Sequence, residues 1–145
     1  MKISIVTVTY NSANTIACTI ESVLKQKYED YEYIVVDGGS KDATVDIIKE
    51  WEPKFKGRMR WISEKDKGMY DGINKGIRMS TGDVVGIINS DDFYHREDIF
   101  QIINDAFKAH KGIEAIYGDV RFVNPNNLNK TVRYYSSKNF KPWRF

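Results

Sequence analysis

Apolar residues along this chain fall into short β-branched runs that alternate with amphipathic stretches. Residues 3–9 read ISIVTVT, a composition that suits a strand buried on both faces. Tyr10-Asn11-Ser12 interrupts the run. Asn11 or Ser12 is placed to cap a helix from about Ala13 to Lys25, in which Ile16, Ile20, Val23 and Leu24 recur at helical spacing. Tyr33 to Val36 is a second buried strand, ended by Gly38-Gly39-Ser40. A helix from Ala43 to Trp51 follows, with Val45, Ile48 and Trp51 as its stripe, and Pro53 stops it. Met59 to Ser63 reads as a third strand and Lys67 to Ser80 as a helix. Val84 to Ile88 reads as a fourth buried strand. A helix from Arg96 to Ala109 turns Ile99, Ile102, Ile103, Ala106 and Phe107 inward. Ile113 to Val123 is expected as a fifth strand, and 131–135 as a hairpin or edge strand after the turn-rich 125–129.

Strands alternating with helices imply an α/β fold with a mostly parallel sheet, right-handed crossovers and helices on both faces. A 3-2-1-4 strand order makes the carboxyl end of the first strand a switch point, where such sheets bind ligands. Three polar groups fall at strand ends: Thr9-Tyr10-Asn11, Asp37, and Asn89-Ser90-Asp91-Asp92. Two adjacent carboxylates about 5 Å apart repel by roughly 3 kcal/mol at an effective dielectric near 20. A divalent cation offsets this, and Mg²⁺ or Mn²⁺ suits hard oxygen ligands shared with substrate phosphates. The competing use of Asp91-Asp92 is to complement the dipole of the helix that follows. Asp37 can accept from a ligand or simply bond to its own turn amides.

Gly68, Gly72 and Gly76 recur every four residues in the sixth predicted element, the helix from Lys67 to Ser80. An interior helical glycine costs about 1 kcal/mol relative to alanine, so a bare backbone face is expected to meet the sheet or a ligand closely. Asp71 and Lys75 can pair at i,i+4. Asn74 is a poor helix former and a candidate ligand contact.

Composition narrows the field without redirecting it. The 145 residues are 41% hydrophobic and 29% charged, and 22 basic against 20 acidic residues leave a net charge of +2. That balance gives no footprint for nucleic acid. Cys18 is the only cysteine, so a disulfide framework within the chain is excluded, and it is expected to pack as a small apolar residue. No apolar run reaches the roughly 18 residues of a membrane span, and the start lacks a signal-peptide pattern. A cytoplasmic protein of one domain over 1–145 is expected. No G-x-G-x-x-G follows the first strand, which argues against a dinucleotide-binding dehydrogenase. No Gly-rich activation loop stands there either, which argues against a nucleotidyltransferase.

Five ordered segments carry a resemblance: VTVTYN at 6–11, VVDGGSKD at 35–42, SEKDKGMYDGINKG at 63–76, TGD at 81–83 and GIINSDD at 86–92, with IYGD at 116–119 as the next element. Together they resemble the N-terminal half of family 2 glycosyltransferases with the GT-A fold. The resemblance implies inverting transfer of a sugar from a nucleotide-diphosphate donor, a UDP- or GDP-sugar, to a saccharide or glycolipid acceptor. By it Thr9 and Asp37 contact the base, Tyr10 stacks near it, and Asn11 belongs to the same pocket. Asp66, Lys67 and Gly68 form a loop over the nucleotide, and Asp71 and Asn74 steady the pocket. Ser90 and Asp91 reach the donor, and Asp91 and Asp92 hold Mn²⁺ or Mg²⁺. Asn89 and Gly38 stand where the family often has Asp.

Family members continue past this length, and the resemblance places the acceptor surface and general base in that later part, with possible contact to the inner face of a membrane. Within the chain Asp119 is the candidate base, ahead of His95 and His110. A nucleotide-sugar-binding domain without catalysis is the alternative reading.

Overall fold

The computed structural model describes residues 1–139; residues 140–145, where the sequence offers no closing element, lie outside the described part. Two compact units divide the chain after Ala106, where the sequence predicts one domain.

The first unit is an α/β layer structure. Its strands are β1 (Ile3–Thr9), β2 (Tyr31–Asp37), β3 (Met59–Ser63) and β4 (Val84–Ile87). All pair in parallel, in the expected order β3-β2-β1-β4. Its helices are α1 (Ile16–Leu24), α2 (Thr44–Trp51), α3 (Met69–Met79) and α4 (Ile99–Ala109), the last running across the boundary between the units. Alternation along each strand sends successive side chains to opposite faces. Ile3, Ile5, Tyr33 and Val35 pack with Ile16, Ile20 and Val23 of α1, Ile48 of α2 and Phe100 of α4. Val6, Ile34 and Val36 face the other way, with Val8, Ile62 and Met79 against them.

The glycines at α3 behave as a close-approach face. A Cβ on Gly72 would stand 2.6 Å from Val8 Cγ1, and one on Gly76 would overlap Val6 Cγ1. Gly68 differs. Nothing crowds it, but its φ of +115° suits the turn into α3 that glycine makes without strain.

Several expectations about these elements need correction. Neither Asn11 nor Ser12 caps α1: Thr15 is its N-cap, and the Ser12 carbonyl accepts from the Thr15 and Ile16 amides, both at 3.0 Å. Cys18 is exposed, because it lies two residues from Ile16 and so on the opposite side of the helix. Ile102 is 45% exposed for the same reason relative to Phe100, which is the residue that faces the core. The fourth strand is not buried. Among the described residues β4 pairs only with β1, and Val85 and Ile87 stand 40% and 50% exposed.

The second unit begins at Phe107. The fifth strand starts only at Val120. β5 (Val120–Asn124) and β6 (Asn127–Tyr135) form an antiparallel hairpin rather than another parallel strand. The turn residues Pro125 and Asn126 close it. Among the described residues no helix is long and apolar enough to cross a membrane.

Candidate functional site

The carboxyl ends of β1 and β2 open onto a cleft of about 680 Å³. Thr9, Tyr10, Ser12, Gly38, Asp66, Gly68 and Ser90 form much of its wall, with Lys41, Lys65 and Met69 at other points. All belong to the first unit.

Short polar links build the floor. Asn11 adopts the left-handed conformation, with φ of +49°, which Asn tolerates better than most residues. Its amide donates to Ser40 Oγ (2.8 Å), and its side-chain oxygen accepts from the Lys41 amide (2.9 Å). The turns after β1 and β2 are thereby tied together. The Ser12 amide donates to Thr44 Oγ1 (2.8 Å), and the Ser12 and Ser90 hydroxyls lie 3.0 Å apart, which joins the loop after β4 to the same floor. Thr9 is buried at 2% exposure, and its hydroxyl has no hydrogen-bond partner among the described residues. Tyr10 is 59% exposed, leaving a ring available at the rim.

Asp37 and Asp66 have different duties. Asp37 is fully buried. Its Oδ2 accepts from the Gly39 amide (3.1 Å), the Ser40 amide (2.9 Å) and the Ser63 hydroxyl (2.6 Å), and its Oδ1 accepts from the Ser40 hydroxyl. The turn after β2 and the end of β3 therefore engage this carboxylate, and it stands behind the cleft wall. Asp66 is in the wall. Its Oδ1 accepts from the Lys75 ammonium. Its Oδ2 would lie 3.2 Å from a Cβ at Gly38 and 2.9 Å from one at Gly72, so both glycines keep its seat open.

The loop into α3 is held by Asp71, whose Oδ2 accepts from the Lys67 amide (3.1 Å). That amide bond is the main reason the Asp71 carboxyl sits below the usual range. Lys67 and Asn74 are exposed and are not in the cleft wall, so Asn74 is not brought to the pocket it was expected to steady.

Asp91 and Asp92 follow Ser90 and are exposed. Asp92 Oδ2 accepts from the Asn89 side-chain amide (3.1 Å), while the Asp92 carbonyl accepts from the Thr19 hydroxyl (2.7 Å). Among the described residues no hydrogen bond or ion pair engages the Asp91 carboxylate, and no group of three or more His, Cys, Asp or Glu gathers as a ready-made metal site. Two accessible carboxylates fit a cation that takes its other ligands from a diphosphate and water.

Asp119, in the second unit, precedes β5 instead of ending a strand. It accepts from the Tyr134 hydroxyl and from the Ser137 amide (2.7 Å) and hydroxyl (2.8 Å). These bonds, Tyr134 foremost, lower its pKa to about 2.

The Glycosyl transferase family 2 sequence model matches residues 4–144. The chain belongs to glycosyl transferase family 2. A Mycobacterium bovis "PGL/p-HBAD biosynthesis glycosyltransferase" is 31% identical over 117 residues, covering 81% of this chain and 46% of the relative. Haloferax volcanii "Glycosyltransferase AglE" is 27% identical over 141 residues, covering 96% and 46%. The chain thus spans a little under half the length of these relatives. S. aureus TarS 1–349, solved in complex with UDP-GlcNAc, superposes with a TM-score of 0.68 at 25% identity, over 76% of this chain and 32% of that one. The Pyrobaculum calidifontis mannosyltransferase PcManGT, solved with GDP-Man and Mn²⁺, gives 0.68 at 21% identity, over 88% and 37%; at that identity it speaks to the fold alone. The fold is of the GT-A type.

Within this family 2 chain, sequence reasoning missed Lys75. The i,i+4 spacing to Asp71 explained it too cheaply: the pair exists at 3.7 Å, but Asp66 is the closer partner. The signal was available in the three acids Glu64, Asp66 and Asp71 clustered in the sequence just before a lone helical lysine on the glycine face.

Proposed function

We propose that the chain forms the donor site of a glycosyltransferase that moves a sugar from a nucleoside diphosphate to an acceptor hydroxyl with inversion. The observation that carries this is the cleft at the carboxyl ends of β1 and β2, where the Tyr10 ring, the bare Gly38 backbone and the Asp66 carboxylate meet. The exposed Tyr10 ring offers a stacking surface for a base. Asp66 accepts a hydrogen bond from it. Asp37 acts indirectly, by fixing the Gly38–Ser40 turn over which the nucleotide lies. Asp71 shapes the loop at Lys67 and Gly68. Ser90 carries the wall toward Asp91 and Asp92, which would hold Mn²⁺ or Mg²⁺ against the diphosphate. When bound, such an ion neutralises charge on the departing diphosphate. The acceptor is a saccharide or glycolipid, and the reaction belongs on the cytoplasmic side of a membrane; both follow from the resemblance.

A carboxylate near pKa 2 is a weak proton acceptor at neutral pH, so Asp119 is not the base in this reading. The same observation favours the second reading, donor binding without transfer by these 145 residues.

Thermal melting with UDP- and GDP-sugars, each with and without Mn²⁺, tests the proposal. At a hundredfold excess over Kd, binding stabilises by about 2.7 kcal/mol, and the shift should need the metal. No metal-dependent shift with any donor overturns the reading. Release of nucleoside diphosphate on adding an acceptor would exclude the non-catalytic alternative.

A further inference from the structure

Lys75 lies in the middle of α3 with its side chain only 15% exposed. Its ammonium donates to Asp66 Oδ1 and to the Lys65 carbonyl (3.3 Å), and it stands 2.8 Å from Glu64 Oε1. Asp66 above all, and then Glu64, raise its pKa and keep it charged. A surface i,i+4 pair would contribute little and leave the lysine in solvent. Here the helix instead rides on bare glycines close against β1, and that closeness lets Lys75 reach a carboxylate whose own side chain is 8% exposed.

The two oxygens of Asp66 are consequently unequal. Oδ1 is held by Lys75. Oδ2 sits against Gly38 and Gly72, of which Gly38, like Asp66 itself, is in the cleft wall, and among the described residues no protein group donates to it. An acceptor in such a place calls for an N–H from a ligand.

We propose that Lys75 is a positioning residue that fixes Asp66 so that Oδ2 alone faces the cleft, and that this single acceptor selects uracil over guanine. The inference rests on the donor-site reading above and adds the base. Uracil offers one ring N–H flanked by carbonyls, which one carboxylate oxygen satisfies. Guanine offers a ring N–H and an amino group side by side, which together call for both oxygens. With Oδ1 taken by an ammonium, one guanine donor loses its partner on leaving water, and unmatched polar groups discriminate strongly.

Calorimetric titration of the 145-residue chain with UDP and with GDP, in Mn²⁺, tests this on the wild type, Lys75→Met and Lys75→Arg. The wild type should bind UDP about tenfold more tightly than GDP, since one guanine donor is left without a partner. Lys75→Met should lose most of that preference, and Lys75→Arg should restore it. Loss of affinity for both nucleotides with an unchanged ratio would mean that Lys75 is merely structural, and would overturn the proposal. Equal UDP and GDP affinity in the wild type would also overturn it, and that arm decides even if Lys75→Met does not fold. Failure of the wild type to bind either nucleotide would defeat the donor-site reading itself, a result distinct from binding without preference.

Discussion

Glu32 and Asp66 are two nearly buried carboxylates, each 8% exposed, at opposite ends of the parallel sheet. Glu32 is completely engaged. Its Oε1 accepts from the Ser4 hydroxyl (2.6 Å) and from the Thr81 amide (2.6 Å) and hydroxyl (3.0 Å). Its Oε2 accepts from Arg60 (2.7 Å), with Lys2 Nζ 3.4 Å away. Asp66 has Lys75 on one oxygen and the cleft beside the other. The first arrangement binds β1, β2, β3 and the loop after α3 into one piece. The second leaves an acceptor incomplete, as does the neighbouring Thr9 hydroxyl. The incomplete acceptor lies at the carboxyl end of the sheet, where α/β sheets bind ligands, and in the proposed reading a ligand completes it. Unpartnered burial alone does not single out that end, since the Tyr31 hydroxyl at the start of β2 is also buried without a partner among the described residues.

That contrast can be broken first at Glu32. Burial alone would raise its pKa, but bonds from Ser4, Thr81 and Arg60 outweigh this and lower it from 4.5 to about 2. A depressed carboxylate stabilises the fold above pH 4.5 and loses that contribution as pH falls toward about 2. The wild type should therefore lose about 3 kcal/mol across this window, measured by urea unfolding. Glu32→Gln should be less stable at pH 7 and largely lack this acid-dependent loss. Nucleotide affinity of the folded variant should not change; a large change would mean that the two ends are not separate in function.

Gly76→Ala should come next, destabilising by about 2 kcal/mol, because its Cβ must displace Val6 in a packed layer. A neutral effect would show that α3 can lift from β1, and would weaken the account of how Lys75 reaches Asp66. Asp66→Asn should have the smallest effect on stability, about 1 kcal/mol, since the amide oxygen can still accept from Lys75, which also keeps Glu64 at 2.8 Å. Its effect should fall on binding instead. If it unfolds the protein as readily as a Glu32 variant does, the two carboxylates are alike and the comparison fails.

Much of the fold was legible because β-branched runs and glycine turns mark buried parallel strands directly. The 3-2-1-4 order and the close-packed Gly72 and Gly76 followed from such local signals. The exposed face of β4 did not, because Val84 to Ile88 carries no sign of which neighbours a strand will have. The sequence pointed to a hairpin or edge strand over 131–135, and β6 forms a hairpin; what stayed hidden is where its partner begins, because Ile113 to Val123 carries apolar residues along its length and does not show that pairing starts only at Val120. In the site, strand ends pointed to the carboxyl edge of the sheet, where the cleft opens, yet residue type could not say which acid faces outward. The resemblance puts Asp37 at the base and Asp66 in the loop over the nucleotide; the turn amides that engage Asp37 and the place of Asp66 in the cleft wall depend on loop geometry that residue type does not encode.

Amide chemical shifts of the ¹⁵N-labelled chain on titration with UDP and Mn²⁺ test the central claim most directly. The account predicts that Gly38, Gly39, Gly68 and Ser90 move while Thr81 and Gly82, at the Glu32 end, stay in place. Shifts centred on Thr81 and Gly82, or none around the cleft at saturating nucleotide, would contradict it.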